Sequence, residues 1–228
     1  MQTSEYSGHV MPGGDALQRT IRHENVALTL TKLSVGPMDN NCYLLADQAA
    51  GVGVIIDAAA DAGRILRQIG DLRIETILTT HGHQDHWQAL REVARATGAR
   101  VVHHSDDQPR IPVRADAAVD HGDMLAFGSA ALEIRHTPGH TDGSICAVLH
   151  GIADDQPSIS EHLFSGDTLF PGGPGKTQSP DEFAEIMDSL RSRLFTLPDQ
   201  TWVYPGHGDD TTLGDERGNL EAWQARGW

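Results

Sequence analysis

The stretch Ile74-Glu75-Thr76-Ile77-Leu78-Thr79-Thr80-His81-Gly82-His83-Gln84-Asp85-His86 runs from an apolar, β-branched segment directly into four metal-capable side chains within six residues. The apolar part reads as a strand. In extended chain, residues two apart point the same way, so His81 and His83 can converge on one ion. Asp85 and His86 then fall where the chain turns into a helix and can face a neighbouring ion. A helical zinc motif would instead place its histidines four apart. The spacing therefore points to a two-metal site at the end of a strand.

Working outward, the apolar pattern predicts strands over residues 26–35, 42–46 and 52–57, an amphipathic helix over 61–69, and a second helix around residues 89–96 ended by Gly98. A short strand follows at 99–103, then an irregular stretch over 109–123. Further short strands are expected around Leu125, over 132–134, 144–149 and 162–165, with an exposed hairpin loop at 151–160. Ser179-Pro180 supplies a cap and a first-turn proline for a helix over 181–194. A last strand at 201–204 and a closing helix at 215–223 complete a layered α/β chain with two sheets.

Three further strand ends repeat the pattern of a ligand-type residue beside glycine: Thr137-Pro138-Gly139-His140, Ser165-Gly166-Asp167 and Tyr204-Pro205-Gly206-His207. With the first cluster they make seven candidates: His81, His83, Asp85, His86, His140, Asp167 and His207. Imidazole and carboxylate suit zinc, iron or manganese better than calcium or copper(I). Seven ligands for two ions leave room for water, and Asp167 is the natural carboxylate to bridge them. Asp57, at the end of its strand, is expected either to hydrogen-bond a metal-bound histidine or to cap the next helix. His103 and His104 read as strand-end residues without a metal role, and His121, His136, His150 and His162 as structural or solvated.

Composition bounds the partners. The 228 residues carry 17 basic and 32 acidic side chains, a net charge of -15. That surface disfavours nucleic acid and anionic membrane. No apolar run is long enough to span a bilayer. Residues 1–23 lack the core of a secretory signal and read as a polar, partly mobile arm ahead of one domain over 24–228; a cytoplasmic location is expected. Cys42 and Cys146 sit in apolar stretches and read as small buried thiols.

Taken together, His81-x-His83-x-Asp85-His86, His140, Asp167 and His207 resemble the metallo-β-lactamase superfamily. Thr137-Pro-Gly-His-Thr141, Gly166-Asp-Thr-Leu-Phe170 and Tyr204-Pro-Gly-His-Gly208 are most similar to its glyoxalase II-like hydrolases. The resemblance runs from about Leu28 to Trp223. It implies an αβ/βα four-layer sandwich with two divalent ions, zinc first and iron or manganese as alternatives. His81, His83 and His140 would hold one ion, Asp85, His86 and His207 the other, and Asp167 would bridge. It implies hydrolysis of a small-molecule thioester by a water activated between the ions, Asp85 also serving its proton. Lys176 matches a lysine that contacts the substrate thiol's carboxylate in that family. Gln178 stands where an aromatic residue is expected, Trp87-Gln88 replace small residues, and 21 residues follow His207, too few for the family's helical extension. A persulfide dioxygenase with one iron, or a lactonase or phosphodiesterase, are the alternatives on this fold.

Overall fold

The computed structural model describes residues 6–227. Its first sheet contains β1 (Leu17–His23), β2 (Val26–Val35), β3 (Asn40–Asp47), β4 (Val52–Ile56), β5 (Arg73–Leu78), β6 (Arg100–His103) and β7 (Ala117–Ala118) in sequential order. The second contains β8 (Met124–Phe127), β9 (Ala130–His136), β10 (Ile145–His150), β12 (Glu161–Gly166), β15 (Trp202–Pro205) and β16 (Thr211–Thr212); β11 (Ile152–Ala153) instead joins the first sheet beside β1. A two-stranded ribbon, β13 (Leu169–Phe170) and β14 (Gly173–Pro174), lies over the second sheet's rim. The helices are α1 (Ala62–Ile69), α2 (Leu90–Thr97), α3 (Pro180–Ser189), α4 (Leu213–Arg217) and α5 (Leu220–Arg226).

Three apolar clusters show why there are four layers. Leu28, Leu30, Leu45, Val54 and Leu78 from one sheet meet Leu132, Ile134, Ala147 and Phe164 from the other. On the outer face of the first sheet, Leu44, Ile55 and Ile77 pack under Ile65 and Ile69 of α1 and Leu90 and Val93 of α2. On the outer face of the second, Val148, Leu163 and Val203 pack under Ile186 and Met187 of α3 and Trp223 of α5. Every residue of β3 and β4 is buried, as strands covered on both faces must be. The four-layer αβ/βα sandwich is the observed fold.

Several boundaries differ from the sequence reading, each for a packing reason. The polar arm does not end at residue 23: residues 17–23 form β1, paired along its length with β2. Ahead of it, Tyr6 is buried in the inter-sheet core, and residues 1–5 lie outside the described residues. The segment is pinned by Lys32, whose Nζ donates to Gly8 O at 2.8 Å, Gly208 O at 2.7 Å and the buried Asp210 carboxylate at 2.7 Å. A charge taken out of water needs such complete partnering. The segment 151–160 is not simply an exposed loop, because β11 extends the first sheet and Ala153 and Ile159 are buried. The helix after Ser179 loosens into a π-helical turn over Leu190–Leu194, and the closing helix breaks at Gly218-Asn219 into α4 and α5.

What positions the site is the seam where strand ends of both sheets meet. Ile145 N–H donates to Thr80 O at 2.9 Å and Asn41 N–H to Gly206 O at 2.7 Å, each bond crossing from one sheet to the other. A second set of buried polar contacts stiffens the core behind it. Tyr204 hydroxyl accepts from Arg19 at 3.1 Å and donates to His162 Nδ1 at 2.8 Å, while His162 Nε2 donates to Gly151 O at 3.1 Å.

His162 is therefore neutral when folded: burial, then the Arg19 charge, lowers its pKa to about 3. Below a pH of about 6.5 the unfolded chain takes up a proton that the folded one refuses. Stability should thus decline as pH falls from about 6.5 towards 3, by about 1.4 kcal/mol per unit from this residue. Urea midpoints of wild type and His162→Gln between pH 4 and 8 should converge in acid; parallel curves would contradict this.

Candidate metal centre

Each ligand-type side chain arrives from a strand end. β5 leads through Thr79 and Thr80 to His81, and a single 3₁₀ turn over Gln84–His86 swings Asp85 and His86 back over the same spot. β9 leads to His140, β12 to Asp167, and β15 to His207. All seven sequence candidates are brought together, in overlapping groups. His81, His83 and His140 form one, Asp85, His86 and His207 another, and His81, His86 and Asp167 join them. Asp167 Oδ2 lies 3.6 Å from His140 Nε2 and 3.5 Å from His207 Nε2, while its Oδ1 lies 3.2 Å from His86 Nε2.

The outward ring nitrogens are already committed. His140 Nδ1 donates to Lys176 O at 2.7 Å, His207 Nδ1 to Met38 O at 2.9 Å, and His86 Nδ1 to Asp57 Oδ2 at 2.8 Å. His81 Nδ1 meets Thr80 Oγ1 at 3.1 Å, and that hydroxyl donates to Asp57 Oδ2 at 2.7 Å. With the proton on the outer nitrogen, the inner one carries a lone pair. Those inner nitrogens face one another: His83 Nδ1 and His140 Nε2 at 2.8 Å, His81 Nε2 and His83 Nδ1 at 3.1 Å, His86 Nε2 and His207 Nε2 at 3.2 Å. Lone pairs at such separations repel unless a proton or a metal ion lies among them, and rings converging in this way from several strand ends are a ligand arrangement. Asp167 Oδ1 is buried without a hydrogen bond, which a cation would also satisfy. The donor set fits two divalent ions.

The electrostatics agree. Burial would raise the Asp167 pKa, but the adjoining His86 and His81 hold the carboxyl well below its usual range. Burial, reinforced by His86, holds His81 well below the ordinary imidazole value, and burial with His140 lowers His83. Both therefore present neutral lone pairs at neutral pH. For His86 burial is outweighed by Asp167 and Asp57, which keep it raised.

Asp57 resolves between its two expected roles. It bonds His86, Thr80 Oγ1 and the Thr80 amide at 2.7 Å, whereas the cap of α1 is Asp61. One carboxylate thus orients ligands of both groups. Asn40 was not singled out by the sequence reading, yet its Nδ2 donates to Asp85 O at 3.1 Å and Asp85 Oδ2 at 3.0 Å. Its only signal was a polar pair, Asn40-Asn41, opening a strand that is otherwise apolar. Gly206 shows why glycine precedes a ligand: a Cβ there would lie 2.2 Å from Asp167 Oδ1 and 2.6 Å from His86 Cε1.

Outside the centre, His104 and His136 stack at 4.1 Å and 10° beside Asp106. Two parallel rings cannot both contain one ion in their planes, so this grouping is not a chelate as it stands. Both cysteines are buried and free, and burial pushes Cys146 up to about 11. Lys176 is exposed and lies beside a cavity of about 420 Å³ lined also by Gly175, Thr177, Phe183 and Arg226. Lys176 O accepts from His140 Nδ1, so the loop that lines this cavity is tied to the centre.

Comparison with known proteins agrees with this architecture. The metallo-beta-lactamase superfamily matches residues 35–207. Hydroxyacylglutathione hydrolase GloC of Haemophilus influenzae is 29% identical over 81% of this chain and 93% of its own length. ETHE1 from Myxococcus xanthus superimposes with a TM-score of 0.70 at 31% identity, covering 82% of this chain and 81% of that one. TTHA1623, solved in a di-iron-bound form, has a TM-score of 0.65 at 29% identity over 82% of this chain and 96% of its own. Since the superfamily match spans well over half of its residues, the chain belongs to the metallo-beta-lactamase superfamily.

Proposed function

We propose that the protein is a dinuclear-metal hydrolase that cleaves the thioester of a small, anionic thiol. The observation that carries this reading is the pair of imidazole groups whose inner lone pairs converge on either side of Asp167. His81, His83 and His140 would hold one ion and Asp85, His86 and His207 the other, with Asp167 available to both groups. When bound, two divalent ions supply Lewis acidity, lowering the pKa of water and polarising a carbonyl.

The chain's own residues do the rest. Asp57 and the carbonyls of Met38 and Lys176 hold the outer nitrogens of His86, His207 and His140, which turns the inner nitrogens of these rings towards the metal positions. Asn40 donates to Asp85 Oδ2, the oxygen 3.2 Å from His207 Nε2, and so holds the carboxylate towards the centre, where it can also accept a proton from water. No side-chain nucleophile is needed, and the buried cysteines offer none. A thiolate leaves without a general acid. The cavity beside His140 accommodates the thiol portion, with Lys176 and Arg226 supplying positive charge on a surface whose net charge is -15. The similarity to a hydroxyacylglutathione hydrolase supports this substrate class.

The persulfide dioxygenase alternative uses one iron, and the convergence of Asp85, His86 and His207 as a second ligand group favours two ions over it. Metal analysis with oxygen uptake on a thiol persulfide separates the two.

Purified protein should carry two ions per chain, zinc being the first expectation, and hydrolyse S-lactoyl thioesters; exhaustive chelation should abolish turnover. Asp167→Ala and His83→Ala should lower kcat/KM by at least about 10²-fold with circular dichroism unchanged. Turnover that survives chelation would refute the metal mechanism.

Asp57→Ala should weaken metal affinity by about 10–100-fold, read by competition with a chromophoric chelator. Lys176→Ala and Arg226→Ala should raise KM for a thioester of a carboxylate-bearing thiol more than for one of N-acetylcysteamine. Equal effects on both would remove the cavity from substrate recognition.

A further inference from the structure

Asp107 lies in the turn that follows β6 and is fully buried. Its Oδ2 accepts the Gly82 amide at 2.7 Å and the Thr141 hydroxyl at 2.6 Å. Gly82 separates His81 from His83, in the loop after a strand of the first sheet. Thr141 follows His140, in the loop after a strand of the second. A single carboxylate oxygen therefore joins the two loops that bring His81, His83 and His140 together.

The packing is built around this contact. A Cβ on Gly82 would lie 3.0 Å from Asp107 Cγ and 2.7 Å from Arg110 Cβ, and a Cβ on Gly143 would lie 2.6 Å from Asp107 N. Glycine on both sides lets the backbones close on the side chain. Thr141 is itself fixed by Ser144, whose Oγ lies 2.8 Å from the Thr141 hydroxyl and accepts the Thr141 amide at 3.1 Å.

The other oxygen, Oδ1, is buried without a hydrogen bond, and Arg110 Nε stands off at 3.7 Å. An incompletely partnered buried carboxylate is costly where only packing is needed. The cost is offset if a cation is held by the loops it grips. Nothing comparable ties Asp107 to the other ligand group, which is oriented by Asp57 and Asn40.

We propose that Asp107 is a positioning residue for one ion only: it sets His81 and His83 against His140, so that the ion they hold depends on it while the ion of Asp85, His86 and His207 does not. This rests on the two-ion reading above. The test is metal stoichiometry and stepwise affinity of the whole protein, by cobalt(II) titration with absorbance and by chelator competition, alongside the melting temperature. Wild type should take up two ions. Asp107→Ala should lose about 10–100-fold in the affinity of one step and keep the other, and its cobalt spectrum should match that of His83→Ala. Thr141→Val removes one of the two bonds without exposing a buried charge, so it keeps the test decisive if Asp107→Ala fails to fold; it should weaken the same step by less. Two unchanged affinities in Thr141→Val, or equal loss at both steps in Asp107→Ala, would overturn the inference. Wild type binding fewer than two ions would instead overturn the two-ion reading on which it depends.

Discussion

Imidazole nitrogens crowded face to face where the strand ends meet are the constraint on which this molecule turns. Three such pairs approach within 2.8–3.2 Å. Lys176 O, Met38 O, Asp57 and Thr80 occupy the outer nitrogens of His140, His207, His86 and His81, so the inner nitrogens of those four rings are the ones turned towards the seam. The rest of the fold can be understood as what holds this arrangement together until cations neutralise it. Strand ends are suited to that task, since their backbones are anchored by the ladder while their last side chains project into the seam.

Two carboxylates stand behind the ligands and divide the work. Asp57 comes from the end of β4 and joins His86 to Thr80, binding the first sheet's strand ends to one another. Asp107 comes from beyond β6 and reaches across to Thr141 of the second sheet. Behind them, the Lys32–Asp210 pair fastens the N-terminal segment to the loop that follows His207. Asp57, Asp107 and the Lys32–Asp210 pair thus each tie together segments that are far apart in the chain.

The strands of this fold were legible because their periodicity is local. The predicted strand at 26–35 coincides with β2, and the helix at 61–69 with α1 and its Asp61 cap. The errors lie where long-range pairing overrides composition. The polar residues of 17–23 read as an arm because they show little apolar alternation, yet β2 and β11 supply hydrogen bonds from either side. The break at Gly218-Asn219 and the π-helical turn after Ser189 are adjustments to packing under the second sheet, which no window of residues reveals.

The sequence by itself determined the ligand types, their spacing on strand ends, and the superfamily, because covalent neighbours such as His81 and His83 cannot be moved apart. Only the tertiary structure decided which nitrogens point inward, that Asp57 bonds His86 rather than capping a helix, and that Asn40 and Asp107 bond to Asp85 and to the loops carrying the other candidate ligands. Those assignments depend on atoms far apart in the chain, as in the bond from Asp107 to Thr141, and contact across such separations exists only once both sheets have closed on their shared core.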